Sequence, residues 1–262
     1  MVASCSWLLR FFRCHVLNHA TVSQKPRSFA VSFGEGIVKS FMMPNSLLVV
    51  AKQPAPGQTK TRLCPPLDGP TAAALYTCFL RDTLDIMRHV PAVQRVIGFL
   101  PPDAAGYFHA LAPDMALNPQ RGSGLGERLD QLLTDALNDG APKAVVMDSD
   151  SPTLPAAYVA QAFALLDTHE VVIGPCTDGG YDLIGLRQPQ PRLLREVTMS
   201  TPFVVRDTLA LATALGLRAA LLPTWYDIDT VAELNRLRVD LLTAPAGVAV
   251  HTRALLATLM LR

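Results

Sequence analysis

Leu47-Leu48-Val49-Val50-Ala51, followed at once by Lys52-Gln53-Pro54-Ala55-Pro56-Gly57-Gln58-Thr59-Lys60-Thr61-Arg62-Leu63, decides how this chain folds. A short unbroken apolar run is the mark of a strand covered on both faces. The basic, Pro/Gly-rich stretch after it is a loop. Pro70 then sits in the first turn of a helix, where proline is tolerated, and Leu75, Cys78, Phe79, Thr83 and Ile86 continue at helical spacing. Further outward, residues 93–100, 144–147, 171–174, 183–186 and 217–222 read as strands. Helical faces alternate with them: Leu129, Leu132, Leu133, Ala136 and Leu137; Val159, Ala162, Phe163 and Leu166; Val205, Thr208, Leu209 and Ala212. Thr230-x-x-Glu233 is a capping-box pattern that opens another helix. Such alternation predicts an α/β fold of three layers, α/β/α and Rossmann-like, around a mostly parallel mixed sheet.

The bulk numbers agree with that reading. The chain has 262 residues, half of them hydrophobic and 17% charged, so it can bury a substantial core. A formal net charge of +1 argues against a nucleic-acid partner. No stretch approaches the roughly 20 apolar residues of a spanning helix, so no membrane partner is expected. Five scattered cysteines, none in a C-x-x-C pair, predict reduced thiols and a cytoplasmic setting. The histidines form no H-E-x-x-H zinc motif. Residues 1–43 are basic and acid-poor. They read as an N-terminal extension: a targeting peptide or, the favoured alternative, sequence upstream of a true start at Met42 or Met43. Residues 44–242 are expected to form one domain. Residues 243–262 form a tail with one possible helix from His251.

In parallel sheets ligands sit beyond the carboxyl ends of the strands, which selects the polar loops that matter. Lys60-Thr61 invites a P-loop assignment, but Thr59 and Pro54 stand where that motif needs glycine. What remains is a Gly57 turn with Lys60 and Arg62 projecting nearby, a cation pair suited to a di- or triphosphate. The plain alternative is a solvated basic loop. Asp148-Ser149-Asp150 follows a strand as a D-x-D pair, and Asp150 is the better candidate ligand for Mg²⁺ or Mn²⁺; Asp148 suits a structural role. In Asp227-Ile228-Asp229-Thr230, Thr230 caps the helix and an aspartate either favours its positive end or serves as a second metal ligand. Asp178-Gly179-Gly180-Tyr181 is a tight turn that lets backbone approach a ligand, or an ordinary hairpin. Gly126 and Arg128 are candidates for nucleotide contact at a helix N-terminus. The glycines at 122–126 do not make a dinucleotide loop, because Glu127 replaces the third glycine and no buried strand is legible before it. Cys176 reads as a small packing residue.

Taken in order, Lys52-x-Pro-x-Pro-Gly57-x-x-Lys60-Thr61-Arg62-Leu63, Leu125-Gly126-Glu127-Arg128, Asp150-Ser151-Pro152-x-Leu154, Gly174-Pro175-x-x-Asp178-Gly179-Gly180-Tyr181 and Asp227-x-Asp229-Thr230 resemble the rSAM/selenodomain-associated transferase family. That family is glycosyltransferase-like and related to 2-phospholactate guanylyltransferase. The resemblance spans Ser46 to about Leu237 and departs at Ser151, where many relatives have cysteine. It implies a GT-A-like fold, a divalent metal on Asp150 and Asp229, phosphate contacts from Lys60 and Arg62, and Asp178 with its glycines on the second-substrate side. The expected activity is metal-dependent transfer from a nucleotide-sugar to a small-molecule acceptor, with Lys60 and Asp178 catalytic. Nucleotidylyl transfer to a phosphorylated small acid is the nearest alternative. A non-catalytic nucleotide-binding protein is a third.

Overall fold

The computed structural model describes residues 43–259, so the expectations for residues 1–42 lie outside the described residues. The chain runs through β1 (Asn45–Lys52), α1 (Gly69–Arg88), β2 (Val93–Leu100), α2 (Ala105–Leu111), β3 (Ala116–Pro119), α3 (Leu125–Asn138) and β4 (Ala144–Met147). It continues through α4 (Ala156–Leu165), β5 (Val171–Pro175), β6 (Tyr181–Leu186), α5 (Pro191–Arg195), α6 (Val204–Ala214), β7 (Ala219–Leu221), α7 (Val231–Thr243) and α8 (Val250–Leu259). The seven strands form one sheet in the order β3-β2-β1-β4-β6-β5-β7. All pairings are parallel except those of β6, which runs antiparallel to both β4 and β5. The mixed, mostly parallel sheet is the expected one.

Side-chain alternation along the strands explains the layers. Leu47, Val49, Val145 and Met147 point to one face, where Leu80, Leu84 and Met87 of α1, Phe108 of α2 and Val159 of α4 cover them. Leu48, Val146, Ile173 and Ile184 point to the other, against Leu129, Leu132 and Leu133 of α3 and Leu193 and Leu194 of α5. Each fully buried aliphatic side chain contributes about 1.5–3 kcal/mol of transfer free energy. Burial on both faces is why the strands read as continuous apolar runs.

Three short elements were not expected. β3 is a four-residue edge strand, mostly half-exposed and ending in Pro119, so it carries no buried-strand pattern. A strand therefore does precede the glycine-rich loop at 122–126. The helices α2 and α5, of seven and five residues, are too short to show a period. Beyond Leu242, Ala249 and Leu256 are buried with Leu75 and Phe79 of α1 and Leu234, Leu237 and Leu241 of α7, so α8 packs on the domain. The carboxylate of Asp82 in α1 accepts hydrogen bonds from the His251 and Thr252 N–H groups at 2.9 Å each, satisfying amides in the first turn of α8. Thr230 and Glu233 form the expected capping box on α7.

Candidate active site

The pairing of β1 with β2 on one side and β4 on the other makes β1 the point where the chain reverses its direction of winding, and a crevice opens beyond its carboxyl end. The frame there is held by buried polar groups. The N–H of Lys52 donates to the hydroxyl of Tyr76 from α1 at 3.1 Å, and that hydroxyl is also 2.8 Å from the Ser149 hydroxyl. One helix side chain thus ties the end of β1 to the loop after β4. The side-chain amide of Gln120 donates to the carbonyls of Ala51 and Gly98, pinning β1 to β2.

In the loop after β1, Gly57 adopts φ 71°, a region open to glycine. Lys60 is left-handed as well, at φ 52° and ψ 40°, although it carries a side chain. Such a conformation costs about 1–2 kcal/mol and persists only where the surroundings impose it. Here they do. A single 3₁₀ turn, Thr61–Leu63, starts directly after Lys60 and is anchored by the fully buried Leu63.

The left-handed backbone aims the Lys60 ammonium between two carboxylates: 2.9 Å from Asp150 Oδ2 and 2.7 Å from Asp229 Oδ1. The Lys60 side chain is only 5% exposed, whereas Arg62, 3.2 Å from Asp229 Oδ2, is 73% exposed at the mouth. Burial alone disfavours the lysine's charge, but Asp150 and Asp229 together outweigh it and raise the ammonium's pKa. These four residues, with Lys52, Thr59 and Tyr76, line a cleft of about 250 Å³. The loops that bear the aspartates are joined by a hydrogen bond from the Ile228 N–H to the Asp150 carbonyl, 3.0 Å.

The two carboxylates fit a hard divalent cation. Asp150 Oδ1 is buried without a hydrogen-bond partner among the described residues, and a cation already spans the pair. All-oxygen donors beside a solvent-open mouth suit Mg²⁺ or Mn²⁺, which keep several waters. Asp148 has the structural part: its carboxylate accepts from the Asp150 N–H at 3.2 Å and the Ser151 hydroxyl at 3.1 Å, folding the D-x-D loop. Its pKa is pushed well up, by burial first and then by Asp150, Asp182 and Asp227.

Beside the cleft stands an acidic wall that the sequence reading took only in part. Because β6 is reversed, its first residues lie at the same rim as the carboxyl ends of the other strands. The turn at Asp178 therefore reaches the rim, as does Asp182, hidden in a strand that otherwise reads as apolar. Asp182 is 2% exposed, and burial, then Asp227, pushes its carboxyl up to about 8. Asp227 rises to about 6, through burial, Asp229 and Asp178. Cys176 is buried, and its thiol is raised by burial and by Asp148, Asp182, Asp227 and Asp178. Asp227 was visible as a neighbour of Asp229, but only β6's direction explains Asp182.

Two candidates lie away from the cleft, and three belong to the turn at its rim. Gly126 and Arg128 do not line the cleft with Lys60. Gly126 is buried where a Cβ would collide with the Leu194 carbonyl of α5, which gives the glycine a packing reason. The Arg128 guanidinium donates to the Gly122 carbonyl at 3.1 Å. At Gly179, φ is 91° and a Cβ would strike the Pro202 carbonyl. The Gly180 N–H donates to Asp178 Oδ1 at 2.8 Å, and the Tyr181 hydroxyl to Met199 Sδ at 3.6 Å.

A seven-stranded sheet with one reversed strand and an acidic, lysine-bearing crevice at its switch point is the fold of nucleotide-diphospho-sugar transferases, the GT-A-like class. A provisionally named nucleotide-diphospho-sugar transferase from Desulfovibrio desulfuricans G20 is 33% identical over 82% of this chain and 94% of its own length, with a TM-score of 0.76. The chain belongs to the family of that protein. Residues 83–201 also match the family model described as "Uncharacterized protein conserved in bacteria (DUF2064)". CMP:2-keto-3-deoxy-manno-octonic acid synthetase complexed with CTP shares the fold at 10% identity, 76% and 98% coverage, and a TM-score of 0.51. So does a 4-diphosphocytidyl-2C-methyl-D-erythritol synthase, at 14% identity, 74% and 97% coverage, and a TM-score of 0.51. No curated protein matched the chain. Among the described residues, no helix is long and apolar enough to cross a membrane.

Proposed function

We propose that the chain is a divalent-metal-dependent transferase that binds a nucleotide-sugar and passes its sugar to a small-molecule acceptor. The observation that carries this reading is the buried Lys60 ammonium held between Asp150 and Asp229, with Arg62 at the mouth of the same cleft. On substrate binding Lys60 turns from the aspartates to the diphosphate, and Arg62 engages it in bidentate fashion. Asp150 and Asp229 would hold Mg²⁺ or Mn²⁺, which would supply charge neutralisation for the departing diphosphate. Asp178 orients an acceptor hydroxyl and accepts its proton, with Gly179, Gly180 and Tyr181 bordering the acceptor. The name of the 33% identical relative and the motif order resembling rSAM/selenodomain-associated transferases support the assignment. We propose a cytoplasmic setting, with residues 44–242 as the catalytic domain and α8 packed against it.

The second reading, nucleotidylyl transfer to a phosphorylated small acid, is favoured by one observation. Three basic side chains, Lys52, Lys60 and Arg62, line the cleft beside Asp150 and Asp229, and with a divalent cation on the two aspartates they would match the charge of a triphosphate. The test is a thermal-shift panel of UDP-, GDP- and TDP-sugars and NTPs with Mg²⁺ or Mn²⁺, followed by product analysis on whatever binds. Release of a nucleoside diphosphate with a glycosylated acceptor supports the first reading. Pyrophosphate release supports the second. No shift with any nucleotide sinks both.

A further inference from the structure

We propose that Cys176, Asp178 and Asp227, backed by Asp182, form a second cation site, distinct from the Asp150–Asp229 pair, that takes a borderline transition ion such as Zn²⁺. The Cys176 thiol and one carboxylate oxygen each from Asp178 and Asp227 lie within 4.8 Å of one another. Tetrahedral zinc holds sulfur and oxygen ligands about 3.6 Å apart, so closing on an ion takes a contraction of up to about 1 Å, within reach of side-chain rotation. The backbone around them is already fixed. The Cys176 N–H donates to the Gly180 carbonyl at 2.9 Å, the Thr177 N–H to the Trp225 carbonyl at 3.1 Å, and Asp178 Oδ1 accepts from the Gly180 N–H at 2.8 Å.

An independent observation points to a ligand. Asp182 is 2% exposed, and both of its carboxylate oxygens are buried without a hydrogen-bond partner among the described residues. Its charge bears on Cys176 and Asp227, the two innermost members of the cluster. Such a carboxylate stays protonated, as the raised pKa of Asp182 reflects, unless a positive charge is brought beside it, and Lys60 is already committed to Asp150 and Asp229. The ligand set chooses the ion: a thiolate among carboxylates selects against Mg²⁺ and suits Zn²⁺ or Co²⁺. Binding forms a metal–sulfur bond and releases the Cys176 proton to solvent. The site stands on these residues alone. Where the transferase reading also holds, the ion lies on the acceptor side of the cleft, and Asp178 then positions the acceptor as the ion's ligand rather than taking its proton.

The test is a Co²⁺ titration of the full chain after treatment with a chelator. Expected are a near-ultraviolet thiolate-to-cobalt charge-transfer band that saturates at one equivalent, its displacement by Zn²⁺, and proton release. Cys176→Ser abolishes the band, Asp227→Asn weakens Co²⁺ binding at least tenfold, and Asp150→Asn leaves the band intact. No band in the natural chain, or a band that survives in Cys176→Ser, overturns the site. If Cys176→Ser does not fold, X-ray absorption of the zinc-loaded natural chain decides: one sulfur neighbour supports the site and none overturns it. Nucleotide binding is followed separately, so its loss with the band retained counts against the transferase reading alone.

Discussion

At the scale of single residues, Lys60 concentrates the chemistry. It is left-handed without being glycine, almost fully buried, and charged between two carboxylates. Lys60→Ala leaves Asp150 and Asp229 facing each other without their shared cation and, on the proposed reading, removes a charged hydrogen bond to phosphate. Such bonds contribute about 1.5–3 kcal/mol, so nucleotide affinity should fall roughly 10- to 100-fold by calorimetry. Lys60→Arg should not restore it, because the forked guanidinium does not fit a space made for a compact ammonium. Affinity unchanged in Lys60→Ala would remove Lys60 from the binding site. Gly126 is a contrasting residue. Gly126→Ala should lower the melting temperature by several degrees through its collision with the Leu194 carbonyl, while nucleotide affinity in the folded fraction stays within about twofold. A large affinity loss at unchanged stability would restore its part in nucleotide contact.

At the scale of elements, the packing of α8 depends on one carboxylate. Asp82 receives the His251 and Thr252 N–H groups, and its pKa is raised by burial despite those bonds. Asp82→Ala should cost about 1–3 kcal/mol, the penalty for leaving buried donors unpaired. It should also speed amide hydrogen exchange across Val250–Leu259 ahead of the rest of the molecule. Exchange unchanged in α8 would mean that its apolar contacts alone hold it. The elements also show what a sequence can disclose. β1 and β4 were legible because both faces are buried along an unbroken apolar run, and β2 because Val96–Leu100 restores such a run after Gln94 and Arg95. β3 was not, since an edge strand of four residues, none of them buried, has no face to declare. The convergence of Lys60, Arg62, Asp150 and Asp229 followed from strand-end logic. Asp182 escaped because its position depends on β6 running backwards, and strand direction leaves no mark in a four-residue apolar run. Cys176 looked like packing for a related reason: its acidic neighbours come from three separate segments.

At the scale of the whole molecule, buried acid makes stability depend on pH. Asp182 titrates near 8 and Asp227 near 6 in the folded state, both above the ordinary aspartate range. Between about pH 4 and those values the native state holds protons that the unfolded chain has released, so stability falls as pH rises. In chelator, the melting temperature should drop from pH 5 to pH 8 and level off above that. Asp182→Asn should flatten the slope, recovering a few kcal/mol at pH 8 on the scale of about 1.4 kcal/mol per pKa unit. A melting temperature that rises across this range would contradict the buried acid wall.

The reversal of β6 has one more consequence. Because the hairpin from β5 into β6 turns at the rim, most of the acidic wall, Cys176 through Asp182, is a single contiguous peptide, joined by Asp227 from another segment. The opposite face is assembled from three distant stretches. The contiguous face can be transplanted between homologous scaffolds as a cassette, and the lysine-bearing face cannot.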